Sequence, residues 1–347
     1  MVMRLIQNVI PKSMIRFSEG KLGVMAKRAR ERRIRLRKGT ADWKDLRNYS
    51  KVAKYANDHD EYEAFIRNYD KNITFDGITS AEFIGDGRGL ASLNSYRRVV
   101  FKNGQNNVSY FEKVYLRSSA DFIKMSWFYQ EVYPQIKNRL LIPEKVAEYG
   151  DTLAVVYFEW IEDIRPFQKQ ERIKKFNDVK NILREVEISS ASLENDYITN
   201  IERDNSFGPI YPKAEHWLYR HEGATAVSHL RAIKHFVIHS NRVERSFVHG
   251  DINGSNFFDW GVIDFDYCGY YPNGFEEALL MTRLGFRVTV SNFDDILEEF
   301  GYHEMTREEK ISLLFFCFVF FNLKRVKASY DELKKCWDLL SSFTLPA

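Results

Sequence analysis

Three oxygen-bearing side chains stand at short intervals in one stretch of the chain. Asp251 is followed five residues later by Asn256, and Asp264 comes eight residues after that. The apolar pairs 257–258 and 262–263 lie between them, and this pattern predicts two short strands joined by a tight turn. Such a hairpin would bring Asn256 and Asp264 together as oxygen ligands suited to magnesium. Asp251 would lie beside them and take a proton from a hydroxyl, which is the minimum equipment for phosphoryl transfer from a nucleotide.

The residues around these three extend the pattern. The stretch contains His249-Gly250-Asp251, then Asn256, then Ile263-Asp264-Phe265-Asp266. It resembles the catalytic and metal-binding signature of the aminoglycoside phosphotransferase and choline kinase superfamily. The resemblance covers about residues 80–285, although it is dense only over residues 247–276. It implies an α+β, bilobal, protein-kinase-like fold with an antiparallel-sheet N-lobe and a mostly helical C-lobe.

The resemblance also implies roles for these residues. Asp251 is expected to be the catalytic base, and His249 is expected to support the loop by hydrogen bonding without reacting. Asn256 and Asp264 are expected to hold magnesium against the phosphates of ATP. Asp266 is a further acid that would share a face with Asp264 if the segment were a strand.

A glycine-rich segment precedes the predicted catalytic stretch by about 160 residues. It lies between two predicted strands, and Gly85, Gly87 and Gly89 would let backbone N–H groups approach phosphates, with Ser92 as a hydroxyl donor. The strand that follows the next hairpin carries Lys113 among alternating apolar residues. In an isolated strand this lysine would face solvent. In a kinase-like lobe, which the resemblance implies, it would bind the α- and β-phosphates of the nucleotide.

Two further nucleotide contacts follow from the resemblance. Glu131 lies in a predicted helix that starts near Ser119, and it is expected to pair with Lys113. Glu112 is the competing acid, but strand alternation points it to the opposite side from Lys113. The segment that contains Glu159 and Trp160 resembles the hinge of the family, where backbone groups would bind an adenine ring; a buried strand end is the alternative.

Composition supports a folded enzyme body with an appended end. The 347 residues suffice for two lobes, and 44% hydrophobic residues suffice for a sizeable core. We predict a basic helical extension over residues 1–75, an N-lobe over 76–160 and a helical C-lobe over 161–347. The three cysteines are scattered without metal-ligand spacing, which favours a reducing cytoplasm. The most apolar run, 311–321, is too short to span a bilayer and suits a buried helix.

The positive charge is concentrated at one end of the chain. Residues 1–38 hold twelve Lys or Arg and two acids, whereas the net charge of the whole chain is only +3. Three interpretations stay open: a solvated helix packed on the lobe behind it, peripheral contact with anionic lipid at the inner face of the membrane, and binding to nucleic acid. Nucleic acid is the least favoured of the three.

The sequence therefore predicts an ATP- and magnesium-dependent phosphotransferase. Its acceptor would be a hydroxyl of a sugar, including one linked to an envelope polysaccharide, or of an amino alcohol or aminoglycoside. Protein kinase activity is disfavoured, because the chain has His-Gly-Asp and Asp-Phe-Asp where protein kinases have His-Arg-Asp and Asp-Phe-Gly. A nucleotide-binding pseudokinase or scaffold recruited through the basic end is the alternative. Candidate acceptor contacts are Glu276, Glu277, Tyr270, Tyr271 and Trp337.

Overall fold

A computed structural model describes most of the chain after residue 77. The described residues are 78–343 with gaps at 84–94, 104, 150–152, 162–170, 205–206, 253–255, 259–260, 303, 323–325 and 327. The predicted basic extension, residues 1–75, lies outside them, as do Gly85, Gly87, Gly89 and Ser92. The roles of these residues, and the cytoplasmic location, stay predictions.

The chain divides into two compact units. One contains the described residues up to Ser119 together with Pro143–Ile161, and the other contains Ala120–Ile142 and the residues from Glu162 onward. The helix that follows Ser119 therefore clusters with the second unit. The lobe boundaries predicted at residues 76 and 160 stay predictions.

The first unit is built on a five-stranded antiparallel sheet. Its strands are β1 (Ile78–Phe83), β2 (Ser95–Asn103), β3 (Asn106–Leu116), β4 (Lys145–Tyr149) and β5 (Leu153–Glu159). Their order in the sheet is β1-β2-β3-β5-β4. Strand β3 lies in the middle of the sheet, between β2 and β5. Six of its eleven residues are apolar or aromatic, which is typical of a strand. Lys113 pairs in register with Tyr96 on one side and Val156 on the other.

The second unit is mostly helical. Its α-helices are α1 (Ala120–Trp127), α2 (Tyr133–Ile136), α3 (Arg172–Arg184), α4 (Ser190–Leu193), α5 (Asp196–Thr199), α6 (Tyr211–His239), α7 (Phe275–Leu284), α8 (Phe293–Glu299), α9 (Arg307–Phe321) and α10 (Tyr330–Ser342). A π-helical turn (Phe128–Val132) joins α1 to α2, and 3-10 turns cover Ile201–Arg203 and Phe265–Tyr267. Two short strands, β6 (Arg245–Val248) and β7 (Gly269–Pro272), pair antiparallel. The predicted fold class is thus confirmed, since an antiparallel sheet precedes a mostly helical part.

Local sequence explains where the last two long helices begin. The side chains of Thr306 and Ser329 each accept a hydrogen bond from the backbone N–H three residues later. In turn, the side chains of Glu309 and Glu332 accept the backbone N–H groups of Thr306 and Ser329. These are capping boxes, which satisfy donors that a helix start would leave unpaired. Every residue of the apolar run 311–321 in α9 is buried, as predicted for a core helix. Within the described residues no helix combines the length and apolarity needed to cross a bilayer.

Candidate active site

The predicted catalytic stretch is an excursion between two paired strands. Val248 at the end of β6 lies opposite Gly269 at the start of β7, so the chain leaves the ladder and returns to it. Inside the excursion Phe257 and Val262 form the predicted antiparallel bridge. The N–H of Ile263 donates to the carbonyl of Asn256 at 3.0 Å. This bond places Asn256 beside the residue that precedes Asp264, and the role of the two side chains as metal ligands stays a prediction.

His249 ties the two halves of the excursion together. Its Nε2 lies 2.8 Å from the carbonyl oxygen of Ile263, and its Nδ1 accepts the N–H of Asp251 at 3.2 Å. These partners assign the proton to Nε2 and leave Nδ1 as an acceptor. The ring is fully buried, and burial lowers its pKa below the usual value. The two bonds connect Asp251 to the end of the hairpin, and the supporting role that the resemblance implies stays a prediction.

Asp251 is held from two sides. Asn256 donates its Nδ2 to the Oδ2 of Asp251 at 3.1 Å and to its backbone carbonyl at 3.0 Å. Arg283 donates its Nη2 to the Oδ1 at 2.6 Å. The Asp251 side chain is 19% exposed, so it is positioned by the protein and still reaches the surface. A carboxylate fixed in this way is suited to accept a proton from a hydroxyl group bound in front of it.

Gly250 allows the chain to turn between the histidine and the aspartate. Its φ is +80°, and a Cβ built on it would lie 2.0 Å from the carbonyl oxygen of Tyr267. Only glycine fits both demands without displacing the backbone. Because Gly250 lies so close to Tyr267, the loop that carries Asp251 packs directly against the 3-10 turn that follows Asp264.

A buried carboxyl group forms a hydrogen bond to the backbone of the loop that carries Asp251. Glu276, in the first turn of α7, accepts the N–H of Gly250 at 3.0 Å and is 2% exposed. Burial raises its pKa to about 8, with the adjacent Glu277 adding to the effect and the backbone hydrogen bonds opposing it. The group is therefore mostly neutral at pH 7.

Glu277 is equally buried but lies in the opposite electrostatic environment. Lys180 and Arg184 of α3 approach its carboxylate at 2.8 and 3.3 Å, and Gly274 donates its N–H at 3.0 Å. Burial raises the pKa of this group, but the two cations outweigh burial, so that the pKa falls below its usual value. The carboxylate is therefore ionised and anchors the start of α7 to α3.

The acceptor contacts predicted for this region are corrected by the structure. Glu276 and Glu277 make the internal bonds just described. Tyr271 is fully buried and binds Lys124, whose Nζ is 2.6 Å from its hydroxyl, and Trp337 packs against Phe318. The aromatic and acidic side chains of these four residues suggested ligand contacts, but all four are buried inside the protein. Tyr270, the fifth predicted contact, is half-buried.

The predicted magnesium ligands have suitable chemistry. Asn256 uses its Nδ2 toward Asp251, which leaves its Oδ1 as the oxygen for a cation. Asp264, eight residues after Asn256, adopts a left-handed conformation with φ 71° and ψ 58°, which aspartate tolerates better than most residues. No cluster of three or more His, Cys, Asp and Glu in the described part of the chain is placed to hold a metal. One amide and one carboxylate fit magnesium, which takes few protein ligands and completes its shell with phosphate and water.

Asp266 does not share a strand face with Asp264. It lies in the 3-10 turn Phe265–Tyr267 and is 2% exposed. The chain turns here because Asp264 adopts a left-handed conformation, which ends any extended run. Burial raises the pKa of Tyr267, and the nearby carboxylates add to the effect; these belong to Asp121, Asp266, Asp251 and Asp264.

The predicted nucleotide contacts of the first unit lie on β3 and β5. Lys113 is 4% exposed, and its Nζ lies 5.2 Å from the ring centroid of Tyr115. Glu112 accepts a hydrogen bond from the hydroxyl of Tyr157 at 3.0 Å. The N–H of Glu159 donates to the carbonyl of Glu144, so the sheet already uses this group, and Trp160 is half-buried.

Glu131 belongs to the second unit. It lies in the π-helical turn Phe128–Val132, and its side chain is exposed. Its predicted pairing with Lys113 stays a prediction, as do the nucleotide roles of Lys113, Glu159 and Trp160.

Two functional groups escaped the sequence-based prediction. Arg283 binds the proposed base, and Glu276 binds the loop backbone rather than a ligand. A signal for both exists in the sequence, because residues 276 and 283 are seven apart and so lie on one face of a helix. The sequence shows that they share a face, but only the packing of α7 shows that this face meets the catalytic loop.

Comparison with known proteins gives structural similarity only. No family model matches the sequence, and no curated protein matches it. The solved structures to which it is similar include the choline kinase LicA from Streptococcus pneumoniae, with 15% identity, a TM-score of 0.42, and coverage of 82% of this chain and 100% of that one.

Two further solved structures are similar at the same level. The Plasmodium vivax ethanolamine kinase has 13% identity, a TM-score of 0.44, and coverage of 90% and 97%. An aminoglycoside phosphotransferase from Streptomyces rimosus has 14% identity, a TM-score of 0.42, and coverage of 77% and 99%. These proteins belong to the superfamily that the sequence signature resembles. At such identities and TM-scores the chemistry has to be argued from the residues of the site.

Proposed function

We propose that the protein is a phosphotransferase that transfers the γ-phosphoryl group of ATP to a hydroxyl of a small molecule. The observation that carries the proposal is the geometry around Asp251. A single carboxylate is fixed by Asn256 and Arg283 in a loop that also brings Asn256 next to Asp264. Phosphoryl transfer requires little covalent chemistry from the protein, so a positioned base beside an oxygen-ligand pair is the equipment that it needs.

Each residue has a distinct task in this proposal. Asp251 orients the acceptor hydroxyl and takes its proton as the new oxygen–phosphorus bond forms. His249 connects Asp251 to Ile263 through its two hydrogen bonds, and burial lowers its pKa. Asn256 and Asp264 would hold magnesium, which supplies positive charge for the phosphate oxygens when it is bound.

The alternative, a pseudokinase or scaffold, predicts nucleotide binding without turnover. It has less support, because a scaffold has no need for a carboxylate held at both oxygens and still partly exposed. ATP consumption by the purified full chain, with magnesium and a panel of sugars, sugar acids and amino alcohols, distinguishes the two functions.

We expect turnover with at least one acceptor, and the variant Asp251→Asn should lower kcat by about 10²- to 10⁴-fold, the usual contribution of a general base. Magnesium-ATP binding should persist in that variant, because Asp251 is not a proposed ligand. Full activity of Asp251→Asn would contradict the proposed role. Nucleotide binding with no turnover on any acceptor would favour the scaffold.

A further inference from the structure

Arg283 adds a positive charge at the point where the acceptor hydroxyl should bind. It projects from the last turn of α7, and its side chain is only 9% exposed. One Nη donates to Asp251 at 2.6 Å, and the other donates to the carbonyl of Ile252. Its Nε is buried and has no hydrogen-bond partner among the residues that the structure describes. The guanidinium is therefore an incompletely satisfied donor beside the proposed base.

Apart from its ion-pair partner Asp251, two titratable groups that line the catalytic loop add no negative charge against Arg283. His249 is buried and neutral, and the charge of Arg283 is itself one reason why the pKa of His249 is low. Glu276 is mostly neutral at pH 7, because burial raises its pKa to about 8. Asp251 forms an ion pair with Arg283 at 2.6 Å, and its carboxylate must turn toward the acceptor hydroxyl to act as a base.

We propose, on the basis of the function proposed above, that the acceptor carries a carboxylate or phosphate close to the hydroxyl that is phosphorylated. Arg283 binds this anion and is the residue that selects it. A planar guanidinium with several donors matches both anions and binds them with two parallel hydrogen bonds. When the anion arrives, it replaces part of the bond between Arg283 and Asp251, and the carboxylate becomes available to the hydroxyl.

The reaction balances with these groups. The acceptor oxygen forms a bond to the γ-phosphorus of ATP, the bond between that phosphorus and the β,γ-bridging oxygen breaks, and ADP leaves. The hydroxyl proton passes to Asp251. Arg283 keeps its charge throughout, because a guanidinium does not deprotonate in proteins.

The same charge disfavours a cationic acceptor. At roughly 5 Å and an effective dielectric constant of about 20, a unit charge on the ligand would change binding by about 250-fold. Competition from Asp251 and the desolvation of the ligand reduce the expected preference to about 10-fold. An ammonium beside the reactive hydroxyl, as in an amino alcohol, would meet the guanidinium and be repelled.

The test compares four sugars that differ at one substituent: glucose, glucosamine, glucuronate and glucose 6-phosphate. Binding to the full chain is measured by titration calorimetry in the presence of magnesium and a non-hydrolysable ATP analogue, and phosphorylation is measured in parallel with ATP. We expect the two anionic sugars to bind about 10-fold more tightly than glucose, and glucosamine to bind no more tightly than glucose.

Three variants separate a ligand-binding role from a structural one. Arg283→Gln should abolish the preference for anions. Arg287→Gln is the matched control, because Arg287 follows the same helix but binds Glu332 and the carbonyl of Val326 instead. Asp251→Asn should bind the anionic sugars several-fold more tightly, since Arg283 loses its competitor. A purely structural Arg283 would not produce that gain.

Equal binding of all four sugars, or a preference that survives in Arg283→Gln, would overturn the inference. Preferential binding of glucosamine would do so as well. These outcomes differ from a failure of the proposed function, which would show as no phosphorylation of any acceptor even where anionic sugars bind through Arg283. Phosphorylation of all four at equal efficiency would leave the proposed function standing and refute only the acceptor class.

Discussion

The two adjacent glutamates at the start of α7 should respond to pH in opposite ways. Glu276 accepts the N–H of Gly250 and has its pKa raised from 4.5 to about 8, chiefly by burial. Glu277 is paired with Lys180 and Arg184 and has its pKa lowered. Both side chains are almost fully buried, so their environments differ in charge and not in exposure.

Proton binding by Glu276 decides whether stability rises or falls with pH. Between pH 4.5 and about 8 the folded protein keeps the proton that the unfolded chain has already lost. Stability from this group is therefore fully present below pH 4.5 and declines as the pH rises toward 8. Each pH unit in that window costs about 1.4 kcal/mol, so the full decline is up to about 5 kcal/mol.

The variant Glu276→Gln isolates this effect. Glutamine keeps an oxygen for the Gly250 N–H but does not titrate. The difference in unfolding free energy between the variant and the wild type should therefore increase in favour of the variant from pH 5 to pH 8, by about 2 to 5 kcal/mol. Urea unfolding at each pH measures the difference, and all other titrating groups cancel in the comparison.

Glu277→Gln is the control on the neighbouring residue. The stability that Glu277 contributes is present above pH 4.5 and is lost only as the pH falls below that value. Its variant should be destabilised by about 3 to 5 kcal/mol, because two cations lose their buried partner, and this loss should be constant between pH 5 and 8. Parallel pH profiles for Glu276→Gln and the wild type would refute the reasoning. A constant destabilisation of Glu276→Gln would mean that Glu276 is ionised in the fold.

Two further substitutions test the packing of the catalytic loop and a buried ion pair of the second unit. Gly250→Ala should destabilise the protein by about 2 to 4 kcal/mol and remove activity, because a Cβ would lie 2.0 Å from the carbonyl oxygen of Tyr267 at a φ of +80°. Thermal unfolding measures the loss of stability, and turnover measures the loss of activity. A variant with wild-type stability would contradict the loop geometry. Lys124→Met should lower the free energy of unfolding by about 3 to 5 kcal/mol, because it removes the cation that lies 3.4 Å from the buried Asp204 carboxylate. Urea unfolding measures this loss. If the loss comes from the uncompensated charge, the double variant with Asp204→Asn should recover most of it.

Local sequence patterns predicted the elements of the site well. The pairs 257–258 and 262–263 predicted the hairpin, and Phe257 and Val262 form its bridge. Strand β3 follows from its high content of apolar and aromatic residues, and helix α9 follows from an unbroken apolar run. In each case the signal is periodic or depends on neighbours in the chain, so it survives without knowledge of the fold.

Long-range contacts account for what the sequence could not predict. The role of Glu276 depends on which face of α7 meets the catalytic loop, a matter of helix packing and not of helix formation. Two adjacent acids near two tyrosines suggest a ligand pocket, but Glu276, Glu277 and Tyr271 are buried and bind partners inside the protein. The turn at Asp264 likewise replaced an expected strand, because a left-handed residue is a local exception that hydrophobic alternation does not reveal.

The contacts of α7 show how one helix controls both the position and the charge of the catalytic loop. Glu276 near its start accepts a backbone N–H from Gly250, and Arg283 seven residues later donates to the next two residues of the loop. Seven residues make about two turns, so the two side chains lie on one face about 10 Å apart along the axis. Glu276 is nearly neutral at pH 7 and Arg283 is charged, so this face holds the loop without adding a negative charge next to the base. A helix built in this way positions Asp251 and also presents a cation to whatever binds in front of it, so loop support and acceptor selection are two consequences of the same packing.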